Sequence, residues 1–204
     1  MIYLLAIGDA HIPQRAREIP PKVYEKLEIL TRDRLFDYTF FTGDVIDAPK
    51  FLDFLKLRTK RDFFRVIGNM DYYSGNRDAP IFQKLKLHNQ LLIGMTHGAQ
   101  VSPRGDHDQL ELLAMEKEYN ILISGHTHKE EITLTKSGIL LINPGSITGA
   151  WSFVASQIPS FTTIDINENT GQITIIIYRL NARENIISET REYFIFDGRI
   201  IKRV

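Results

Sequence analysis

The 204-residue chain has no cysteine, which excludes disulfides, thiolate metal sites and cysteine nucleophiles together. The absence fits a cytoplasmic setting, where disulfides are rare. An excess of one charge is missing too. The 25 basic side chains balance 25 acidic ones, so no global field draws the chain to nucleic acid or anionic lipid. Long apolar runs are also absent: Met1–Ile7 and Ile173–Tyr178 fall far short of the ~20 residues a membrane span requires. Met1–Ile7 also lacks the basic start of a signal peptide. What is there, 43% hydrophobic and 25% charged residues with 13 glycines, is the profile of a folded globular domain. No repeat or linker divides it, so residues 1–204 read as one domain: a core over 1–180 and a C-terminal hairpin extension over about 191–204.

Strand and helix patterns alternate through the first part of the chain. Ile2–Ile7 is a nearly continuous apolar run, as expected of a strand buried on both faces. Pro20–Arg34 opens with prolines suited to a first turn and then carries Val23, Leu27 and Leu30 at helical spacing. Strands are expected at Tyr38–Thr42, Phe63–Ile67, Leu91–Met95 and Ile121–Ser124, with helices at Pro49–Leu57 and Gln109–Tyr119. The basic stretch Lys56–Arg65 reads as a solvated helix end leading into a strand rather than a nucleic-acid patch. From about Glu131 the pattern turns to hairpins: Glu131–Thr135 with Ile139–Ile142, Ser160–Ile166 with Gln172–Leu180, and Glu192–Phe196 with Arg199–Arg203 around Asp197-Gly198. Alternating units followed by hairpins predict an α/β layered domain with two sheets.

Five expected strand ends finish alike. They run into Gly8-Asp9-Ala10-His11, Gly43-Asp44, Gly68-Asn69-Met70-Asp71, Thr96-His97-Gly98 and Gly125-His126-Thr127-His128. Glycine allows a sharp turn at a strand's carboxyl end, the edge where α/β sheets bind ligands. The side chains offered are Asp9, His11, Asp44, Asn69, His97, His126 and His128. Oxygen and imidazole donors without sulfur suit divalent ions such as Mn, Fe, Zn or Co. Seven donors are too many for one tetrahedral ion and about right for two, which would sit ~3.5–4 Å apart and could clamp a phosphate. Taken singly, each Asp or His is as well explained as a turn former or filler. Four of the six histidines fall in these loops, however, and the cluster outweighs that reading. His88 and His107 have no such setting and are expected to be exposed and structural.

These motifs, in this order, resemble the calcineurin-like metallophosphoesterases, and Asn143-Pro144-Gly145-Ser146 adds a mark of their small phosphodiesterase branch. The resemblance implies a two-sheet β-sandwich flanked by helices. It also implies two divalent ions, Mn, Zn or similar. Asp9, His11, Asp44 and His128 would hold one, and Asp44, Asn69, His97 and His126 the other. Within the branch, Gly8–Pro13, Ile121–Lys129, Ile142–Ala150 and Ile158–Phe161 look like the small metallophosphoesterase-fold subunit of retromer, the coat that sorts membrane cargo from endosomes. That resemblance implies a scaffold which caps a helical-solenoid subunit with its metal face and sits at membranes only through the complex.

Met70 is the departure that matters most. Active family members usually carry histidine there as general acid, and a thioether donates no proton. No catalytic residue is therefore assigned; Asp44 would hold a bridging hydroxide if the chain is an active Mn- or Zn-dependent phosphodiesterase. On the side of a partner, Val101, Ser102 and Arg104 follow His97 where the retromer subunit grips its solenoid, although Ser102 and Arg104 replace large apolar residues there. Ile176 and Tyr178 would contribute to a second, apolar surface. A small phosphodiester is the alternative ligand. Nucleic acid is disfavoured by the zero net charge.

Overall fold

The computed structural model describes residues 1–204. Its first strand, β1 (Ile2–Ile7), shows how the layers arise. Side chains alternate across a strand, and here both sets are apolar. Ile2, Leu4 and Ala6 join a core between two sheets, while Tyr3, Leu5 and Ile7 join a second core beneath helices. β2 (Phe36–Phe41) and β3 (Thr59–Arg65) pair parallel to it in succession. α1 (Pro21–Leu30) and α2 (Pro49–Leu57) are the crossovers and cover the outer face through Val23, Leu27, Phe51 and Leu55.

The short helix α3 (Asn69–Tyr73) then leads to the second sheet, made of β4 (Phe82–Lys86), β5 (Leu92–Thr96), β6 (Ile121–Ser124), β7 (Glu130–Leu134) and β8 (Leu140–Pro144). Helix α4 (His107–Glu116) packs on its outer face through Leu110 and Ala114 against Leu122 and Leu141. The chain returns to the first sheet as β9 (Ser160–Ile166), β10 (Gln172–Asn181), β11 (Ile186–Phe196) and β12 (Ile201–Arg203). The sheet orders are β12-β11-β10-β9-β1-β2-β3 and β4-β5-β6-β8-β7. The expected α/β sandwich is therefore what forms, with helices outside two mixed sheets.

Several boundaries differ from the sequence expectations. β3 begins at Thr59 rather than Phe63, because this edge strand carries Lys60, Arg61 and Asp62 on solvent-exposed positions where no apolar alternation is needed. The basic stretch is thus the helix end and strand expected of it. α3 and β4 have no apolar periodicity to announce them: one is five residues long and the other is half-exposed at a sheet edge. The C-terminal hairpin does form around Asp197-Gly198, with Phe196 opposite Ile201. Its first strand, however, starts at Ile186 and pairs with β10 from Gln172↔Ile195 to Asn181↔Ile186. The hairpin thus continues the main sheet at its edge, and Phe194, Phe196 and Ile201 belong to the inter-sheet core. No helix is long and apolar enough to cross a membrane.

Candidate metal centre

β1 and β2 run parallel in one sheet, and β5 and β6 in the other, so their carboxyl ends share one rim. The loops that leave this rim carry every residue proposed as a ligand. Asp9, His11, Asp44, His97, His126 and His128 are all buried. Backbone strain marks the same places. Asp9, His11, Asp44, His126 and His128 have φ between 49° and 69°, a left-handed conformation that costs a non-glycine residue roughly 1–2 kcal/mol. Five such residues around one pocket indicate a geometry maintained for the site.

Ordinary packing would not assemble these side chains as they stand. His11 Nε2 lies 2.9 Å from His128 Nε2, and His97 Nε2 lies 3.2 Å from His126 Nδ1. Asp44 Oδ2 is 3.4 Å from both His11 Nε2 and His97 Nε2, so it sits between the two histidine sets. Asp9 Oδ1 does the same, at 3.4 Å from His128 Nε2, 3.7 Å from His11 Nε2 and 4.0 Å from His97 Nδ1. Two groups of candidate ligand atoms follow, Asp9-His11-His128 and Asp9-Asp44-His97. Asn69 adds its Oδ1 at 3.1 Å from His97 Nε2. All seven side chains singled out from the sequence therefore meet in one place, while His88 and His107 are exposed and belong to neither group of candidate ligands.

A divalent ion fits this donor set. Asp9 Oδ1 is buried without a hydrogen-bond partner, a costly state that a cation would relieve. The ring orientations also suit ligation: His97 Nδ1 and His128 Nδ1 lie 2.8 and 2.9 Å from the carbonyls of Thr42 and Ala150, which turns each Nε2 inward. Burial alone would raise the Asp9 carboxyl, but His128, His11 and His97 outweigh it and hold Asp9 well below the usual carboxylate range. Burial would likewise lower His97, yet the Asp44 carboxylate, helped by Asp9, pushes it up to about 9. Burial and the His97 charge push His126 down to about 4.

A pH dependence follows from these directions. The metal-free chain carries a proton on His97 below about pH 9, and a ligating imidazole must be neutral, so loading expels that proton. Affinity should fall by about tenfold per unit as pH drops below 9 on this account alone. Calorimetric titration with Mn at pH 8, in buffers of different ionisation enthalpy, should register release of about one proton.

The scaffold around the ligands depends on residues whose roles were not assigned from sequence. Asp71 Oδ2 accepts from the Asp44 and Gly68 amides at 2.8 and 3.1 Å, and Oδ1 from Ile46 at 2.8 Å. A lone Asp in a helix's first turn reads only as a cap, so its sequence signal is weak. Ser146 Oγ donates to the Asp9 carbonyl at 2.7 Å, and Asn143 Nδ2 donates to the Gly125 carbonyl at 2.9 Å. The Asn143–Ser146 motif therefore staples two ligand loops together. Gly68 is required by close approach, since a Cβ there would collide with Asp44 Oδ1.

The residues expected on partner surfaces fare differently. Ser102 is exposed, and Arg104 and Ile176 are half-buried. Val101 and Tyr178 are corrected to interior positions, at 6% and 2% exposure. Val101 is enclosed in the cluster under α4. Tyr178 stacks on Phe161 at 4.7 Å, with Lys26 Nζ of α1 over its ring.

Residues 2–169 match the calcineurin-like phosphoesterase superfamily domain. A probable metallophosphoesterase of Methanocaldococcus jannaschii is 39% identical over 142 residues, which are 70% of this chain and 66% of that relative, just under two thirds of its length. A single-site variant of Vps29, a retromer subunit, from Entamoeba histolytica superposes with a TM-score of 0.82 at 30% identity, covering 95% of this chain and 99% of that one. The wild-type Vps29 of the same organism, complexed with zinc, gives 0.78 at 27% identity, covering 94% and 99%. Left-handed Asp and His residues closing on one buried centre, on a fold shared nearly end to end with Vps29, are what that sequence match entails: the chain belongs to the calcineurin-like phosphoesterase superfamily.

Proposed function

We propose that this protein is a divalent-metal-binding scaffold of the Vps29 type. Its metal face would cap a helical-solenoid partner of the retromer kind in endosomal-type sorting, and its phosphodiester chemistry is weak or absent. The observation that carries the reading is Met70. Its backbone amide donates to Asp44 Oδ1 at 2.8 Å, so the residue supports a metal ligand. Its thioether, however, donates no proton to a leaving group. Absence of a general acid costs about 10²–10⁴ in rate. Beside the site, Trp151, Phe153 and Val154 are 52%, 84% and 45% exposed. They follow Ala150, whose carbonyl orients His128, and such an exposed apolar patch suits protein docking. A cytoplasmic location, peripheral to membranes through the complex, goes with this reading.

The complete donor set favours a second reading, an active Mn- or Zn-dependent phosphodiesterase. Bound ions would polarise a phosphoryl oxygen and supply a nucleophile at neutral pH. The chain's own part is positional. The amides of Met70 and Asp71 hold Asp44 Oδ1 at 2.8 and 3.3 Å and leave Oδ2 facing the histidines. A groove lined by Ile67, Tyr72, Ile81 and Ala99 adjoins Asn69 and His97 and would receive an apolar ester arm.

Hydrolysis of a bis-aryl phosphodiester with added Mn separates the two, with bound metal counted in wild type, Asp44→Asn and Met70→His. The scaffold reading expects wild type to bind metal yet turn over slowly, and Met70→His to raise the rate by at least about tenfold. A fast wild type, silenced by Asp44→Asn and indifferent to Met70→His, would put the enzyme first.

A further inference from the structure

Arg65, on the edge strand β3, is a mostly covered cation that its own chain satisfies only in part. Its side chain is 19% exposed and makes one hydrogen bond, from Nη2 to Asp78 Oδ1 at 2.6 Å. Its Nε is buried without a partner, a state that calls for an acceptor. Arg179, by contrast, donates from Nε to Glu130 and from Nη1 to Thr190.

Asp78 is loosely held. It is 76% exposed and meets Arg65 through one oxygen. Its loop is fixed at both ends, where the Asn76 amide donates to the Asp71 carbonyl and the Ile67 amide to the Pro80 carbonyl. Residues 77–79 between those anchors make no backbone hydrogen bond. An ion pair whose acid is this exposed contributes little to stability, so Asp78 can leave Arg65 at small cost. Two clefts meet at the pair. One runs along Lys56, Phe63 and Pro80, the other along Val45, Ala48 and Pro49, and Leu52, Arg65 and Asp78 line both. Each offers apolar surface beside the cation, and no candidate metal ligand lines either one.

We infer that this double cleft binds an extended acidic segment of a partner protein, whose carboxylate takes the place of Asp78 on Arg65. A carboxylate held side-on accepts from Nε and Nη2 together, whereas Asp78 reaches only Nη2. Apolar residues before and after the acid then follow the two clefts, over Phe63 on one side and Val45 on the other. Lys56 adds a second positive charge to the first cleft. A small carboxylic acid is the poorer match, because it would fill one cleft and leave the other open. Asp78 is the built-in competitor, occupying Arg65 until a better-placed carboxylate displaces it.

The test uses the full chain and a fluorescein-labelled peptide centred on Leu-Glu-Leu, read by polarisation against the same peptide with Leu-Gln-Leu. Wild type should bind the glutamate peptide at least about tenfold more tightly, as expected of charge-assisted hydrogen bonds in a partly covered site. Arg65→Gln should abolish that preference. Asp78→Ala should act in the opposite direction. It should tighten the glutamate peptide by roughly twofold to fivefold, since it removes a competitor worth about one exposed ion pair. Because Asp78 is exposed, this variant keeps the test decisive if Arg65→Gln unfolds. Equal affinity of wild type for the two peptides, or unchanged or weaker binding by Asp78→Ala, would overturn the site. Displacement of the peptide by isovalerate at an equal concentration would overturn the partner segment and assign the cleft to a small acid. None of these outcomes depends on bound metal, so the site can fail while the metal centre stands.

Discussion

Replacing Asp9 with asparagine is expected to weaken both ions together, by at least about a hundredfold each, beyond the 10–100-fold typical of residues that merely support a ligand. The prediction follows from the position of Oδ1. Asp9 is the one residue common to both candidate ligand groups, and its Oδ1 is buried without a hydrogen-bond partner. A carboxamide has nearly the same size, and its oxygen can still accept from the His126 amide, which lies 3.2 Å from Asp9 Oδ2. The change therefore removes a full negative charge while largely sparing the packing. Metal content after dialysis and calorimetric titration of the remaining sites would measure it. Loss of only one ion would mean that Asp9 is not shared, and that Asp44 alone connects the two halves of the centre. His128→Ala is the useful contrast, because His128 belongs to one group only.

Asp71→Ala is expected to destabilise the fold by about 3 kcal/mol or more while leaving every candidate ligand side chain in place. Three amides, those of Asp44, Gly68 and Ile46, end on this one buried carboxylate at 2.8, 3.1 and 2.8 Å. Hydrogen bonds to a charged acceptor contribute about 1.5–3 kcal/mol each, and orphaned buried donors bear their own desolvation penalty. Relaxation and water entry recover part of the sum, so the lower figure is used. For a chain of this size the melting temperature should fall by roughly 6–12 °C. Metal affinity should fall as well, because the Asp44 backbone is held at φ 54° by this network. Asp71→Asn should have a smaller effect, since its single carbonyl oxygen can replace only some of the acceptors. Unchanged melting of Asp71→Ala would show that water can satisfy these amides.

The site was legible before the fold because its chemistry is written locally. Each of Asp9, Asp44, His97 and His126 lies beside a glycine at a strand end, and that pairing needs only sequence to be noticed. The outer helices and the buried strands were legible for the same reason, since apolar periodicity is a property of adjacent residues. Elements that lack it escaped. α3 has five residues, β4 is partly exposed, and the first half of β11 is mostly solvent-facing, so their apolar signals are broken. Solvent exposure was hardest to read. Val101 and Tyr178 look like surface residues by position in their loop and strand, but α4 and α1 respectively come to lie over them.

The sequence by itself determined the kind of ion chemistry available. Without thiols, and with aspartate, asparagine and histidine at glycine turns, only oxygen and imidazole ligation of a divalent ion is open. It also determined that no proton donor stands at position 70. Only the tertiary structure decided that Asp9 and Asp44 both lie between the two histidine sets, and that Asp71 anchors three amides on the two loops that follow β2 and β3. Spacing along the chain cannot convey such facts. His11 and His128 are 117 residues apart, yet their Nε2 atoms lie 2.9 Å from one another. What closes that distance is the parallel register of β1 with β2 and of β5 with β6, together with the apolar packing that sets one sheet against the other.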